Sequence, residues 1–386
     1  MRVAFTAISR RAWTGGHNYL LNLVRALAAH VPGELQPVLF AGVDDDPADT
    51  AAFEALGHVE VVRAPAFDAA RRPRGLAQAI ALGLDRAAQG EFDRRHVDVV
   101  FESARFFGRR LRQPAIAWLP DFQHRHLPQL FGRGAWWRRE LGFRMQVRAG
   151  RRVMLSSEDA RADCERFYPG ARGQTRVVPF AVPAAPPVAP ERVGEVVARH
   201  GLGGARFVLM PNQFSRQKNH GLVIDALALL RARGRGDVVV AAPGSQVDPR
   251  HPQHFAELAA RADAAGVRSQ FRPLGMIPYA DLAPLMQAAD ALLNPSLFEG
   301  WSTPVEEARA NGIPMLLSDL PVHREQAGDI ARFFDRFSAA SLADALAATG
   351  PAPARDLARL AHAADTRVAA YARAFAGLVR TTAAAG

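Results

Sequence analysis

ALLNPSLFEGWSTPVEEARANGIPMLLSDL, residues 291–320, predicts a strand, a loop and a helix in close succession. Its first four residues are an apolar run that stops at Asn294 and Pro295, which is typical of a buried strand and the turn after it. Thr303 is a favourable helix N-cap, and Pro304 suits the first helical position. The loop between them is therefore expected at the carboxyl end of a strand and over a helix N-terminus.

The predicted helix is short and leads into another strand. Glu306 can complete a capping box with Thr303, and Gly312 and Pro314 end the helix before an apolar run at 314–318. In an open α/β sheet, ligands bind at loops that follow the carboxyl ends of strands. The stretch therefore predicts such a sheet and marks one of its ligand-binding edges.

Two carboxylates flank this loop, Glu299 before the helix and Glu307 in its first or second turn. The helix N-terminus suits phosphate, and carboxylates accept hydrogen bonds from the paired hydroxyls of sugars and riboses. This is the outline of a nucleotide-sugar site. The simpler alternative is that the acids complement the helix dipole. That alternative suits Glu306 but fails for Glu299, because no helix has begun there.

Glu299 and Glu307, with seven residues between them, resemble the E-x7-E motif of retaining glycosyltransferases of family four, also called group 1 glycosyltransferases. Residues 311–329, NGIPMLLSDLPVHREQAGD, resemble the continuation of that motif. The resemblance covers most of the chain and implies the α/β GT-B fold, with two Rossmann-like domains facing across a cleft. One departure is Trp301-Ser302-Thr303, where the family usually has Phe-Gly-Leu. Ser302 in place of glycine leaves less room for backbone to approach a ligand.

Length and composition limit the number of domains, the kind of partner and the cellular compartment that can be expected. A length of 386 residues favours two domains, and the net charge of +10 favours anionic partners, although an arginine-rich composition alone gives the same balance. A single cysteine, Cys164, excludes an intramolecular disulfide and fits a reducing compartment. The N-terminus does not resemble a signal peptide, and no apolar run approaches the roughly 20 residues of a spanning helix. We expect a cytoplasmic protein, soluble or peripheral at the inner face of the membrane.

The first half alternates strands and helices, which predicts a parallel sheet. Its first strand is followed by a loop at 9–16 with Gly15 and Gly16, and then by a helix at 17–30. There is no G-x-G-x-x-G, so the dinucleotide fingerprint is absent. In the resembled family a glycine pair here lets backbone approach the donor diphosphate. An ordinary strand-to-helix turn is an equal alternative.

Polar residues follow a later strand, in the segment AWLPDFQHRHLPQLF. Asp121 stands at the strand end and is expected to face the interdomain crevice. Many family members carry a histidine just before this aspartate, but Pro120 occupies that position here. We expect Asp121 or His124 to take over the contact with the donor sugar. A metal site at His124 and His126 is weakly supported, because two ligands lack a nearby third; no metal or other cofactor is expected.

A predicted helix at 133–152 carries seven arginines with Trp136 and Trp137. Such a helix suits an anionic membrane, where a lipid-linked acceptor would lie. The alternative is a surface helix whose aromatic residues contact the sheet, and we favour it because basic amphipathic helices are a weak signal.

A proline-rich linker at 179–190 is the best domain boundary. We predict an N-terminal acceptor-binding domain at 1–180, completed by a C-terminal helix at 365–386, and a nucleotide-sugar-binding domain at 191–364. In the second domain, a strand runs into a loop with Arg216 and Lys218 just before a helix. Cations are unfavourable at a helix N-terminus unless an anion offsets them, so both are expected to flank a diphosphate. The alternative is two solvated surface cations.

The resulting hypothesis is a retaining hexosyltransferase that moves a mannose, rhamnose or glucose type of sugar from a nucleoside diphosphate to a glycan or lipid-linked acceptor. The resemblance implies that Glu307 holds the ribose, Glu299 the sugar hydroxyls, and Arg216 with Lys218 the diphosphate. Backbone of Gly300, Trp301, Ser302 and Thr303 would support sugar and phosphate, and the Gly15-Gly16 loop would close over the diphosphate. Bacterial surface polysaccharide or lipopolysaccharide synthesis is the family's common use.

Two other classes remain as alternatives. A sugar-phosphate synthase or phosphorylase on the same fold would use a soluble phosphorylated acceptor. A basic nucleic-acid-binding protein is less favoured, because the cations are spread along the chain instead of clustering with aromatic residues.

Overall fold

A computed structural model describes residues 1–103 and 105–385, which fold into two compact units. Unit 1 comprises Met1–Phe122, Arg133–Ala181 and Thr366–Gly386, and unit 2 comprises Gln123–Gly132 and Val182–Asp365. The sequence placed residues 123–132 in the first domain, whereas the structure groups them with unit 2. Gly386, the end of the predicted last helix, lies outside the described residues.

Unit 1 is built on a seven-stranded parallel sheet of order β3-β2-β1-β4-β5-β6-β7. Its five inner strands are almost entirely buried, as expected when helices cover both faces of a sheet, whereas the two edge strands are partly exposed. The strands are β1 (Arg2–Thr6), β2 (Gln36–Ala41), β3 (Glu60–Arg63), β4 (Val99–Ser103), β5 (Ala115–Trp118), β6 (Arg152–Leu155) and β7 (Thr175–Val177).

The helices of unit 1 connect these strands along the chain. They are α1 (Thr14–His30), α2 (Ala51–Glu54), α3 (Arg72–Ala81), α4 (Arg86–Arg94), α6 (Arg133–Arg148) and α7 (Glu158–Phe167), while the short α5 (Gln123–His126) belongs to unit 2.

Unit 2 is built on a six-stranded parallel sheet of order β10-β9-β8-β11-β12-β13. Its strands are β8 (Phe207–Leu209), β9 (Val239–Pro243), β10 (Phe271–Gly275), β11 (Ala291–Asn294), β12 (Met315–Ser318) and β13 (Ala331–Phe334). Its helices are α8 (Pro190–Arg199), α9 (His220–Ala232), α10 (His254–Ala264), α11 (Tyr279–Ala288), α12 (Thr303–Ala310), α13 (Pro321–Ala327) and α14 (Ala339–Ala347). The last helix, α15 (Leu357–Ala383), begins in unit 2 and ends in unit 1.

Both sheets have the strand order of a doubly wound fold, in which the chain winds outward in both directions from a central strand. The central strands are β1 in unit 1 and β8 in unit 2, and neighbouring strands in both sheets run parallel. The prediction of two Rossmann-like domains is therefore confirmed. In each unit, the loops after the central strands lie at the edge where such sheets bind ligands.

Several predicted boundaries were wrong for local reasons. The helix predicted at 133–152 ends at Arg148, because Gly150 takes a positive φ of 71° before Arg152 begins β6. The predicted loop at 9–16 ends earlier, since Gly15 and Gly16 form the first turn of α1. A side chain at Gly16 would meet the Trp13 ring at 2.4 Å, so packing of that ring already requires glycine there.

Buried polar groups also hold unit 1 together. The carboxylate of Glu102, at the end of β4, is fully buried and accepts hydrogen bonds from the Arg151 guanidinium at 3.2 and 3.3 Å. The backbone N–H of Phe107 donates to the same carboxylate at 3.1 Å, and Arg151 also donates to the carbonyl of Gly108 at 2.6 Å. Burial raises the pKa of Glu102, and Arg151 acts in the opposite direction.

Candidate functional site

Two loops meet at the carboxyl edge of the unit 2 sheet. One follows β8, the other follows β11, and these strands are neighbours in the sheet. The backbone N–H of Leu297 donates to the carbonyl of Gln217 at 2.8 Å. The side chain of Asn219, which has a left-handed backbone with φ of 56°, donates to the carbonyls of Pro295 and Arg336 at 3.2 and 3.0 Å. These bonds fix the two loops against each other.

The loops bring Lys218 and Glu299 into contact. The Lys218 ammonium lies 2.5 Å from Oε1 of Glu299, and the two side chains are only 18% and 11% exposed. The hydroxyl of Ser296 lies 2.7 Å from the same carboxylate oxygen. An ammonium carries three N–H donors, and the contact with Glu299 uses one of them. The pair therefore presents both donors and acceptors at one edge of the sheet.

A buried frame supports the loop that carries Glu299. The amide Nδ2 of Asn294 donates to the hydroxyl of Ser302 at 2.8 Å. The side chain of Gln326 accepts from the backbone N–H of Ser302 at 3.2 Å and donates to its carbonyl at 2.7 Å. Asn294, Ser302 and Gln326 are all buried. Gln326 thus binds both polar groups of the Ser302 backbone.

This frame corrects two expectations about the helix start. The N-cap position of α12 belongs to Ser302 and makes no side-chain capping bond, and Thr303 is the first helical residue. The predicted capping box is therefore wrong. The Ser302 N–H was expected to support a bound sugar or phosphate, but it is already bonded to Gln326. Gly300, Trp301 and Thr303 are partly buried beside it.

The two acids of α12 have different surroundings. Glu306 is buried and accepts from Gln326 at 3.2 Å, so it does more than complement the helix dipole. Glu307 is partly buried, and within residues 1–103 and 105–385 its carboxylate has no hydrogen-bond or ion-pair partner. Burial raises the pKa of Glu307 to about 7. A carboxyl group in this state can both donate and accept at neutral pH.

His323 lies beneath the same loop and was missed by the sequence analysis. Its Nδ1 lies 3.0 Å from the Ser318 carbonyl, which can only accept, so Nδ1 carries the proton. The Ser318 hydroxyl in turn donates to the Ser296 carbonyl at 2.7 Å. Burial lowers the pKa of His323, and the charge of Glu299 opposes that shift. The polar residues after β11 and β12 were the available signal, since strand ends of one sheet edge converge.

Arg216 lies in a short 3-10 turn with Lys218, directly before α9. Its guanidinium is 3.7 Å from Glu257 and its side chain is 43% exposed. The structure therefore places Arg216 in the loop of Lys218 but pairs it with an acid. Its predicted contact with a diphosphate stays a prediction.

The residues of the Asp121–His126 segment separate between the two units. The Asp121 carboxylate, in unit 1, pairs with Arg139 at 2.6 Å. His124 and His126 lie in α5 of unit 2, where His124 is fully buried. The His126 ring stacks on Phe298 with 4.8 Å between ring centroids. This contact, which sequence reasoning did not find, places α5 beside the residue that precedes Glu299.

Among the described residues, no three histidine, cysteine, aspartate or glutamate side chains come together as a metal site. Within the same residues, every helix is too short or too polar to cross a bilayer.

Comparisons with known proteins give a match for part of the chain and a likeness for its fold. Residues 196–349, less than half of the chain but most of unit 2, match the family model described as "Glycosyl transferases group 1". The matched residues include Lys218 and Glu299. A search of curated proteins found no match.

Solved structures resemble the chain over almost its whole length. A Rickettsia africae glycosyltransferase has a TM-score of 0.71 at 13% identity, with 99% of this chain and 97% of that chain covered. The sucrose-phosphate synthase of Thermosynechococcus elongatus has a TM-score of 0.69 at 17% identity, with both chains fully covered. Anabaena HepE, solved with UDP and glucose, has a TM-score of 0.66 at 17% identity, with 100% and 98% covered. At these identities the likeness shows the fold, which is the predicted GT-B fold.

Proposed function

We propose that the protein transfers a sugar from a nucleoside diphosphate to a hydroxyl of an acceptor. The contact between Lys218 and Glu299 at the carboxyl edge of the unit 2 sheet carries this proposal. One residue supplies a cation for the leaving diphosphate, and the other supplies a carboxylate for sugar hydroxyls. The match of residues 196–349 to the group 1 glycosyltransferases supports the same conclusion.

The site suits stabilisation of a departing diphosphate. As the bond from the anomeric carbon breaks, the diphosphate gains negative charge, and fixed cations and N–H donors lower the energy of that state. Lys218 is held in place by Glu299, so it needs little reorganisation to meet the charge. Arg216 and the start of α12 at Thr303 lie in the same two loops and would add to this stabilisation.

Glu307 is proposed to hold the ribose of the donor. Its carboxyl group has no protein partner among the described residues and is half ionised near pH 7. A vicinal pair of ribose hydroxyls supplies the hydrogen bonds that this partly buried group lacks. We assign Gly300 and Trp301 to the same donor-binding loop, without a role for the N–H of Ser302.

The finer features of the reaction rest on the resemblance to glycosyltransferase family four. These are retention of anomeric configuration, a hexose of the mannose, rhamnose or glucose type, and an acceptor that is a glycan or a lipid-linked sugar. Unit 1 is proposed to bind the acceptor. Asp121 and the Gly15-Gly16 turn of unit 1, together with His124 of unit 2, are the further candidates for contact with the donor. A role in bacterial surface polysaccharide or lipopolysaccharide synthesis is proposed on the same ground. We assign no cofactor.

A peripheral location at the inner face of the cytoplasmic membrane fits a lipid-linked acceptor. One face of α6 supports it, because Trp137 and Leu141 are each 50% exposed there. Arg133, Arg138 and Arg148 on the same helix are also exposed. Aromatic and cationic side chains on one helix face suit an anionic headgroup layer.

The second candidate is a sugar-phosphate synthase. The structural likeness to sucrose-phosphate synthase over both full chains supports it. Such an enzyme would use the same donor site but accept the sugar on a soluble sugar phosphate. The chemical identity of the acceptor therefore distinguishes the two candidate functions.

The test has two steps. Thermal-shift screening against UDP-, GDP- and dTDP-sugars should find one donor class that raises the melting temperature of the wild-type protein but not of Glu307→Ala. Transfer from that donor is then measured to lipid-linked glycans and to sugar phosphates, and NMR of the product assigns its anomeric configuration. Stabilisation by none of these donors would contradict the proposal.

A further inference from the structure

Helix α3 in unit 1 shows apolar side chains to solvent. Leu76 is 40% exposed and Ile80 is 57% exposed, and their spacing of four residues places them on one face of the helix. Pro73, Ala77 and Ala81 extend the same face and are exposed as well. Of the ten residues of α3, only Ala79 is buried. Leu82, directly after the helix, is 49% exposed.

Cations surround this apolar face. At about 100° per residue, Arg72 and Arg74 fall on its two sides, and Arg71 stands just before the helix. At the other end, the backbone N–H of Arg110 donates to the carbonyl of Gly83 at 2.8 Å, which places Arg109 and Arg110 beyond the last turn. All five arginines are exposed.

These cations are largely uncompensated. Arg72 pairs with Asp45 at 3.3 Å. Among residues 1–103 and 105–385, the other four have no ion-pair partner: Arg71, Arg74, Arg109 and Arg110. The sequence from 69 to 84 contains no acid. The nearest acids lie on the N-terminal side of α3, where Asp44 accepts from the backbone N–H of Ala69 at 3.3 Å and Asp68 precedes it in the chain. The surface is therefore apolar at its centre, with more cations than acids around it.

We propose that α3 lies on the surface of an anionic lipid bilayer. In this arrangement Leu76 and Ile80 enter the boundary between headgroups and acyl chains, and the surrounding arginines bind lipid phosphates. Long arginine side chains reach the phosphates while their stems cover apolar surface. The inference gives the proposed peripheral location a second surface, and it does not depend on sugar transfer.

Charge and side-chain type favour lipid over two other occupants. A second copy of the chain docked by two-fold symmetry would bring two sets of these arginines together without an acid from α3 to offset them. Single-stranded nucleic acid is bound by aromatic side chains that stack on bases, whereas the centre of this face is aliphatic. An anionic bilayer satisfies both the apolar centre and the positive rim.

Flotation with lipid vesicles tests the proposal on the full-length protein. The vesicles contain phosphatidylcholine alone or phosphatidylcholine mixed with phosphatidylglycerol, at low and high salt. Leu76→Glu/Ile80→Glu removes the apolar centre and adds negative charge. Leu229→Glu/Leu357→Glu makes the same change at two exposed leucines of unit 2 and serves as the matched control. Trp137→Glu/Leu141→Glu tests the face of α6 separately.

Wild type and the control are expected to float with the anionic vesicles at low salt and to be released by high salt. The α3 variant should bind at least about tenfold more weakly, because it loses both apolar insertion and local positive charge. A second variant, Arg71→Gln/Arg74→Gln/Arg109→Gln/Arg110→Gln, keeps the apolar face and should flatten the salt dependence. All four substituted arginines are exposed, so this variant should keep the fold. It therefore tests the proposal even if Leu76→Glu/Ile80→Glu misfolds.

Three outcomes would overturn the proposal: no flotation of the wild type, undiminished flotation of both α3 variants, or loss of flotation in the α6 variant alone. Light scattering that showed a dimer dispersed by Leu76→Glu/Ile80→Glu would assign the face to a second copy instead. A protein that floats as expected but transfers no sugar would leave this inference standing and contradict the proposed function.

Discussion

The ammonium of Lys218 lies 2.5 Å from the Glu299 carboxylate, although the two residues stand 81 positions apart in the chain. They meet because β8 and β11 are adjacent in the sheet and both end at the same edge. The cation and the acid thereby hold each other in place within one site.

Replacing either partner should reduce sugar transfer. Lys218→Ala removes the cation proposed for the leaving group, and Glu299→Ala removes the acceptor for sugar hydroxyls. Each should lower kcat/KM by at least about tenfold, or roughly 1.4 kcal/mol. The double variant should lose less than the product of the two, since each single change already removes their contact. Arg261→Ala, which breaks the exposed Arg261–Asp225 pair of the same unit, is the matched control and should retain wild-type activity.

Glu307 should make the protein less stable as pH rises. Its pKa is raised to about 7 in the folded state, so between the ordinary value of 4.5 and about 7 the unfolded chain loses this proton while the folded protein keeps it. The contribution is therefore most favourable below pH 4.5 and is lost by about pH 7. Glu307→Gln should gain on the order of 2–3 kcal/mol in free energy of unfolding at pH 8 relative to wild type, and little at pH 4.5.

Urea denaturation at several pH values measures this difference. Buried His323 has a lowered pKa and destabilises the fold as pH falls, in the opposite direction to Glu307. Because His323 is present in both proteins, the difference between wild type and Glu307→Gln isolates the carboxyl group. An equal difference at pH 4.5 and pH 8 would contradict the raised pKa.

Loss of the Gln326 side-chain amide should weaken unit 2. Gln326→Leu leaves the N–H and carbonyl of Ser302 and the carboxylate of Glu306 without this buried partner. An unsatisfied buried polar group costs about 1–3 kcal/mol, so a loss of at least that size is expected. The measurement is the free energy of unfolding in urea. Exposed Gln253→Leu in the same unit is the control, and equal stability of the two variants would argue against the frame around Ser302.

Arg151→Met should destabilise unit 1 far more than loss of a surface ion pair does. It leaves the buried Glu102 carboxylate without its cation, which costs about 3–5 kcal/mol for a buried pair. Arg95→Met breaks the exposed pair with Glu60 and should cost less than about 1 kcal/mol. Thermal and urea unfolding of the two variants compare these costs. A similar loss of free energy of unfolding in both variants would show that the buried ion pair contributes no more to stability than the exposed one.

Some features of the site followed from local sequence. Asn294, Pro295 and the apolar run before them predicted the strand end, and Gly312 predicted the helix end, because these residues act within one or two turns of chain. The resemblance at Glu299 and Glu307 added the expected fold. Local rules misplaced the start of α12, since Ser302 satisfies its polar groups with Asn294 and Gln326 in place of a cap.

Other features could not be predicted because they depend on distant packing. The loop of Gly15 and Gly16 is the first turn of α1, and the Trp13 ring occupies the space beside Gly16. His126 contacts Phe298 only because α5 belongs to unit 2. The exposed apolar face of α3 was not predicted, because the exposure of Leu76 and Ile80 depends on which distant segments pack against the helix.

By itself, the sequence determined two parallel α/β units and the residue types needed for a phosphate and a sugar, because strand and helix signals depend on neighbouring residues. Only the tertiary structure decided which of those residues meet. Glu299 contacts Lys218, Arg216 turns to Glu257, and the Ser302 N–H is bonded to Gln326. Which residues pair in this way depends on the order of strands in the sheet and on burial. Both result from many contacts between residues that are far apart in the chain.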